Sequence, residues 1–275
     1  MKTTIGVVQF EAKQFCPEDN MKRAEAFVRK AARRKAQVVV FPEDFLTGPI
    51  CGQVEYVDFK HQYRDLFIAW SIRYHIDIVA GSVIEGDHKG WYNTCYYIDA
   101  KGTIKGCYRK VNLWLGERHY LTPGNQVKVF DTAYGKVGLV ICWDLAFPEI
   151  FRKMVQQGVE VVFCPSYWTY QDAGVGLKYD PNSEAIFVNA LATARAFENQ
   201  IVLVYANAAG KFEIPEFQIN AKLIGQSQIT TPFQGAIQRL EDNNEGMFLQ
   251  EVDLDVLKDA ETSYAIRADL RERVL

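Results

Sequence analysis

Apolar runs and amphipathic stretches alternate along the chain, and this alternation predicts a layered α/β protein. Thr3–Phe10 and Ala36–Phe41 are short apolar runs rich in β-branched residues, the pattern of strands covered on both faces. Between them, Asn20–Lys35 places Met21, Ala24, Phe27, Val28 and Ala31 on one face and lysines and arginines on the other, which predicts an amphipathic helix. Val57–His75 predicts a second helix, with Phe59, Tyr63, Leu66, Phe67 and Trp70 turned to the core. A strand at Ile76–Val83 follows, then a hairpin of Tyr92–Ile98 and Ile104–Arg109 around Asp99-Ala100-Lys101-Gly102. Val127–Thr132 and Lys136–Ile141 read as strands split by Tyr134-Gly135. Phe147–Gln157 reads as a helix stopped by Gly158, and Val159–Cys164 as the next strand. Asn182 or Ser183 caps a long helix through Asn199, and Ile201–Ala206 follows as a strand. Lys222–Thr230, Ala236–Arg239 and Met247–Asp253 close the pattern as an antiparallel set. No repeat and no Gly/Ser/Pro linker interrupts it, so residues 1–275 are expected to form one domain with helices covering buried sheets.

Composition narrows the class. With 48% hydrophobic and 13% aromatic residues the chain has ample material for a large core. Its net charge of −3 gives no basic footprint, which argues against nucleic acid as a partner. No apolar run approaches the roughly 20 residues of a membrane span, and Met1-Lys2-Thr3 leads into a strand rather than a signal peptide. The six cysteines show neither CxxC pairing nor metal-ligand spacing, so they are expected to be reduced thiols of a cytoplasmic protein. Four histidines, none in an HExxH arrangement, speak against a zinc hydrolase, and no glycine-rich phosphate loop is present.

Three strand ends carry candidate chemistry. Val137-Gly138-Leu139-Val140-Ile141 runs into Cys142-Trp143-Asp144, after which the chain turns into a helix. That geometry presents a thiol on a tight turn whose backbone N–H groups face whatever the sulfur attacks. Taken singly, Cys142 also reads as a small apolar residue closing a core strand. Ala36–Phe41 ends in Pro42-Glu43, delivering a carboxylate where α/β folds place ligands. Tyr108-Arg109-Lys110 ends another strand with an ammonium. A neighbouring ammonium lowers a thiol pKa and a carboxylate can move its proton, so Glu43, Lys110 and Cys142 together would make a competent nucleophile. A Cys-His pairing of Cys142 with His119 is an alternative. Tyr167 and Trp168, after the strand ending at Cys164, are expected to contact substrate. Thr169–Pro181 reads either as a segment closing over substrate or as a surface loop.

These segments resemble the nitrilase superfamily of carbon–nitrogen hydrolases. Its signatures are an apolar strand ending in Pro-Glu, a Tyr-Arg-Lys segment, and Cys-Tyr/Trp-Asp-x-x-Phe-Pro-Glu, and all three occur here in the family's order. Gln9, Ala194–Asn199, Gly225–Ile229 and Asp269-Leu270-Arg271 match as well. The resemblance implies a four-layer α-β-β-α sandwich, catalysis by Glu43, Lys110 and Cys142, and a second glutamate, Glu117, orienting Lys110 and the substrate nitrogen or water. It implies no cofactor and no metal. It also implies a homodimer or higher homo-oligomer, with the tail Thr262–Leu275 on a partner subunit or folded back on its own domain.

The activity implied is hydrolysis of a small linear amide or N-carbamoyl amine through a thioester, with the backbone N–H of Trp143 helping Lys110 hold the oxyanion. Alternatives are a nitrilase acting on C≡N, an N-acyltransferase, and a catalytically silent binding module on the same fold. Members acting on N-carbamoyl amino acids commonly carry an arginine after the nucleophile segment. Here Leu145 and Ala146 stand there, so a neutral or cationic substrate is expected unless Arg195 or Lys178 binds a carboxylate instead.

Overall fold

The computed structural model describes residues 2–272. In chain order the first half consists of β1 (Lys2–Gln9), α1 (Pro17–Arg33), β2 (Val38–Val40), α2 (Gln62–Tyr74), β3 (Asp77–Val79), β4 (Val83–Asp87), β5 (Gly90–Ile98) and β6 (Ile104–Arg109). The second half begins with β7 (Val129–Thr132), β8 (Gly135–Leu139), α3 (Pro148–Gln156), β9 (Val161–Ser166), α4 (Ser183–Asn199) and β10 (Val202–Asn207). It closes with β11 (Lys211–Ile214), β12 (Ile219–Lys222), β13 (Gln228–Thr231), β14 (Gly235–Arg239), β15 (Gly246–Asp253), α5 (Asp255–Tyr264) and α6 (Ile266–Glu272).

One sheet has the order β15-β1-β2-β3-β5-β4, with β6 also paired to β5; the other runs β14-β13-β10-β9-β8-β7. β1, β2 and β3 are parallel to one another, as are β8, β9 and β10. The period-two alternation of a strand assigns the layers. Val38 and Val40 join Ile5 and Val7 in the core shared with Val137, Leu139, Phe163 and Val204 of the facing sheet. Val39, between them, points the other way and packs with Ala24 and Val28 of α1 and Phe67 and Trp70 of α2. On the far side Phe151, Met154, Val188 and Ala192 bring α3 and α4 onto the second sheet. The four-layer α-β-β-α expectation holds.

Three element boundaries differ from the sequence pattern. The second helix begins at Gln62 rather than Val57, because the Asp58 carboxylate accepts the N–H groups of Lys60 (3.1 Å) and Tyr63 (2.9 Å) and caps the helix one turn later. Phe59 then lies outside the helix and is 50% exposed, not in the core. The Ile76–Val83 run breaks at Gly81 (φ 58°) into β3 and β4, which lie end to end beside β5. The Lys222–Thr230 run breaks at Gly225 and Gln226, both with positive φ, and its first residue ends β12 of a separate β11–β12 hairpin. The described part of the C-terminal tail folds back: α6 lies against α3 and α4, and the Arg267 guanidinium donates to the carbonyls of Val159, Asn199 and Gln200. Val274 and Leu275, expected in the tail's apolar face, lie outside the described residues. Among the described residues no helix is long and apolar enough to cross a membrane.

Candidate active site

β8 leads through an extended Ile141 into Cys142, whose φ of 47° is left-handed, and the chain then turns through Cys142–Ala146 into α3. A non-glycine residue held there costs on the order of 1–2 kcal/mol, and Asp144 supplies the restraint. Its Oδ2 accepts the Ile141 N–H (3.0 Å) and the Tyr108 hydroxyl (2.7 Å). Its Oδ1 accepts the N–H (2.8 Å) and side-chain amide (3.0 Å) of Asn112. The aspartate of the Cys-Trp-Asp run therefore buckles the turn to β6 and to the loop after Lys110. No role for it followed from the motif alone. Burial pushes the Asp144 carboxyl up, and these four donors oppose that.

Four further side chains converge beside the thiol. Lys110, just past β6, is 2% exposed. Its ammonium donates to Glu43 Oε1 at 2.8 Å and lies 3.0 and 2.8 Å from Glu117 Oε1 and Oε2. Asn93, in β5, donates its amide to the same two oxygens, Glu43 Oε1 at 2.8 Å and Glu117 Oε1 at 3.2 Å. Glu43 Oε2 accepts the Tyr167 N–H (2.9 Å), and Glu117 Oε2 accepts the Trp114 N–H (2.7 Å). Glu43 and Cys142 line the same cavity, close enough for each to act on the other's charge. Gly124, of the Pro-Gly after Glu117, donates its N–H to the Lys110 carbonyl (2.7 Å) where a Cβ would meet the Arg109 carbonyl oxygen at 2.1 Å. The four residues expected to be catalytic, Glu43, Lys110, Glu117 and Cys142, are thus brought together. Asn93 was missed; its only signal was an amide inside the apolar strand Trp91–Ile98.

Two electrostatic expectations change. Cys142 is 8% exposed, not an open thiol. Burial, and then the Glu43 carboxylate, push its pKa well above the usual thiol value, and Lys110 only partly offsets them. Lys110 does favour the thiolate, as expected, but burial opposes it more strongly and the ammonium is shared with two glutamates. Burial also raises Glu43, against the pull of Lys110, which makes it a stronger proton acceptor than an ordinary carboxylate. Burial would lower Lys110, but Glu117 and Glu43 outweigh it and hold the ammonium well above the usual lysine value.

Glu43, Lys110, Glu117 and Cys142 line a cavity of about 580 Å³. Trp143, Tyr167 and Trp168, the expected substrate contacts, all line it. Trp143 packs edge-on against Trp114 (centroids 4.5 Å apart) and tilted against Trp168 (5.6 Å), while Tyr167 meets Phe212 of the β11–β12 hairpin at 5.4 Å. Gln171, Asp172 and Asn220 complete the wall, so the segment after Thr169 is folded into the site rather than being a free loop. His119 lines the cavity too, but the groups acting on Cys142 are Glu43, Lys110 and the Tyr167 backbone. Arg195 is committed elsewhere, to the Leu145 carbonyl (3.1 Å) and Glu198 (2.7 Å), and Lys178 is exposed over the Tyr179 ring. Neither lines the cavity. Among the described residues no group of three or more His, Cys, Asp or Glu side chains is arranged to hold a metal ion.

A buried thiol with a carboxylate base beside it and a fixed ammonium can attack a carbonyl and hold the resulting oxyanion. Known proteins carry related sequences. The carbon–nitrogen hydrolase family model matches residues 4–262. The 2-oxoglutaramate amidase of Bacillus subtilis is 30% identical over 276 residues, covering 99% of each chain. The N-carbamoylputrescine amidase of Arabidopsis thaliana is 30% identical over 274 residues, covering 93% of this chain and 89% of that one. In three dimensions a carbon–nitrogen hydrolase from Helicobacter pylori G27 superposes with a TM-score of 0.89 at 21% identity, over 99% of this chain and 95% of that one. The chain belongs to the carbon–nitrogen hydrolase family.

Proposed function

We propose that the protein hydrolyses a small linear amide or N-carbamoyl amine, neutral or cationic, through a thioester on Cys142. Glu43 accepts the thiol proton as the sulfur attacks the carbonyl carbon, an order that the burial of the thiol favours. Lys110 and the Trp143 N–H hold the oxyanion, at about 3–4 kcal/mol for a single well-placed donor. Glu43 returns its proton to the departing nitrogen, the C–N bond breaks, and ammonia or an amine leaves. Glu43 then takes a proton from water, the hydroxide attacks the thioester, and the acid departs as the sulfur regains a proton. Glu117 keeps Lys110 in place and faces the leaving nitrogen. The carrying observation is the convergence of Cys142 with the ion-paired Glu43 and Lys110 on the wall of one cavity.

Cavity charge supports the substrate class. Glu43, Glu117 and Asp172 line it, with Asp44 held protonated by burial, whereas the basic side chains among its described residues are Lys110 and His119. Lys110 is already held by two carboxylates, which leaves no fixed cation for a substrate carboxylate. This favours the carbamoyl-amine relative over the 2-oxoglutaramate one as a guide. Ammonia release from an aliphatic amide, N-carbamoylputrescine, N-carbamoyl-β-alanine and an aliphatic nitrile tests it. Turnover of the first two is expected, lost with Cys142→Ala and reduced on the order of 10²–10⁴-fold with Glu43→Gln. The acid limb of kcat/KM should lie above 4.5, the ordinary glutamate value, since activity disappears as pH falls through the raised Glu43 pKa. Preference for N-carbamoyl-β-alanine or for the nitrile would overturn the substrate class.

A further inference from the structure

We propose that Asp172 is the specificity-determining residue of this cavity, its carboxylate taking a primary ammonium at the far end of a linear amide or carbamoyl amine. This rests on the amidase reading above and narrows it.

Each of the other cavity carboxyls has an occupation. Glu43 and Glu117 hold Lys110, and Asp44 sits against the Ser82 hydroxyl. Asp172 differs. Its Oδ2 accepts the Thr169 N–H at 2.7 Å, and among the described residues no lysine, arginine or histidine pairs with it. Near it Glu184, which is 8% exposed and outside the cavity lining, is bonded to the Trp168 indole N–H. Asp172 is half-buried and lines a cavity whose described residues include no arginine.

Burial raises Asp172 to about 6, with Glu184 and Glu43 adding to the rise and the Thr169 bonds opposing it. It is therefore ionised in neutral solution yet poorly hydrated, the state in which an incoming cation is bound most strongly. The rings of Trp143, Trp168 and Tyr167 along the cavity offer apolar surface to a methylene chain and electron-rich faces to an ammonium. Gln171, adjacent in sequence, accepts the Lys222 N–H (2.7 Å) and ties this wall to the β11–β12 hairpin, so Asp172 does not lie on a loose end.

Capping the turn after Thr169 does not by itself call for a charge. Asparagine accepts the same backbone N–H as well as aspartate does. That equivalence gives a clean test, because Asp172→Asn keeps the cap and removes the anion. Three amides of equal length and different ends are compared: δ-aminovaleramide (ammonium), hexanamide (methyl) and adipic monoamide (carboxylate).

The wild-type enzyme is expected to favour δ-aminovaleramide over hexanamide by about tenfold or more in kcat/KM, and to disfavour the carboxylate. In Asp172→Asn the ammonium preference should collapse toward unity, with the change carried by KM. A role confined to the turn would lower all three substrates together and leave their ratios intact, which overturns the proposal. Wild-type turnover of hexanamide without preference for the ammonium overturns the subsite and leaves the amidase reading standing. Failure to hydrolyse any of the three overturns both. Should the variant not fold, the wild-type ratio alone decides.

Discussion

At the scale of single residues, the two glutamates share two donors of different kinds. Lys110 supplies charge and Asn93 supplies direction, each bonding Glu43 Oε1 and Glu117 Oε1. Asn93 is 1% exposed, and its amide oxygen has no hydrogen-bond partner, a destabilising arrangement that its bridging role explains. Asn93→Ala is expected to lower kcat on the order of a hundredfold with little change in KM, since it loosens reacting groups rather than substrate. The Glu43 carboxylate would also lose a donor to its charged form, so the acid limb of the pH profile should move upward. A fall in kcat with an unmoved limb would mean that Asn93 serves only the fold. The thiol is governed by the same balance. Its nearest cation is shared by two anions, so burial decides its protonation and Glu43 has to act during attack.

Among the elements, strand ends decide the geometry. Glu43 lies just past β2, Lys110 just past β6, Cys142 after β8 and Tyr167 just past β9, two from each sheet, and they meet where the sheets open. The break between β3 and β4 is part of that arrangement. At Gly81 a Cβ would stand 2.0 Å from the Pro42 carbonyl oxygen and 2.8 Å from the Phe45 ring, at a φ of 58° that side chains rarely adopt. The chain carrying Glu43 passes through the space a side chain would fill. Gly81→Ala should therefore destabilise by about 2–4 kcal/mol in urea unfolding and lower kcat per folded molecule by displacing Glu43. Wild-type kcat in the folded fraction would show that Glu43 is positioned independently of this crossing.

For the whole molecule, the site stores a pH-dependent cost. Burial raises Glu43, Asp44 and Asp77 above their ordinary carboxyl values, Asp44 well above. The folded state then binds protons more tightly than the unfolded chain. Below the ordinary value of 3.8 this contribution of Asp44 to stability is fully present, and it is lost as pH rises through the folded pKa. Asp44→Asn removes that loss. The variant is expected to melt higher than wild type in mildly alkaline buffer, by about 1 kcal/mol or more, with the gap closing toward acid. A gap independent of pH would show that Asp44 is ionised in the folded protein.

Much of this could be read along the chain, because period-two and period-3.6 patterns are local, and the runs before Glu43 and Cys142 are apolar where the strands are buried, whereas β6 before Lys110 is largely exposed. The alternation gave a layered α/β protein, the family resemblance sharpened it to four layers, and the structure brings Glu43, Lys110, Glu117 and Cys142 together. Tertiary structure decided what depends on neighbours distant in sequence. Phe59 left the core because Asp58 found the Tyr63 N–H. Asn93 and Asp144 acquired their roles only when β5 and β6 came alongside Glu43 and the Cys142 turn. Burial pushes the Cys142 thiol up against the pull of Lys110, and neither burial nor the placing of Glu43 and Glu117 around one lysine is written in spacing. Asp172 became an unpaired anion on a cavity wall for the same reason: a carboxylate in a turn is unremarkable until the fold removes its water and leaves no cation beside it.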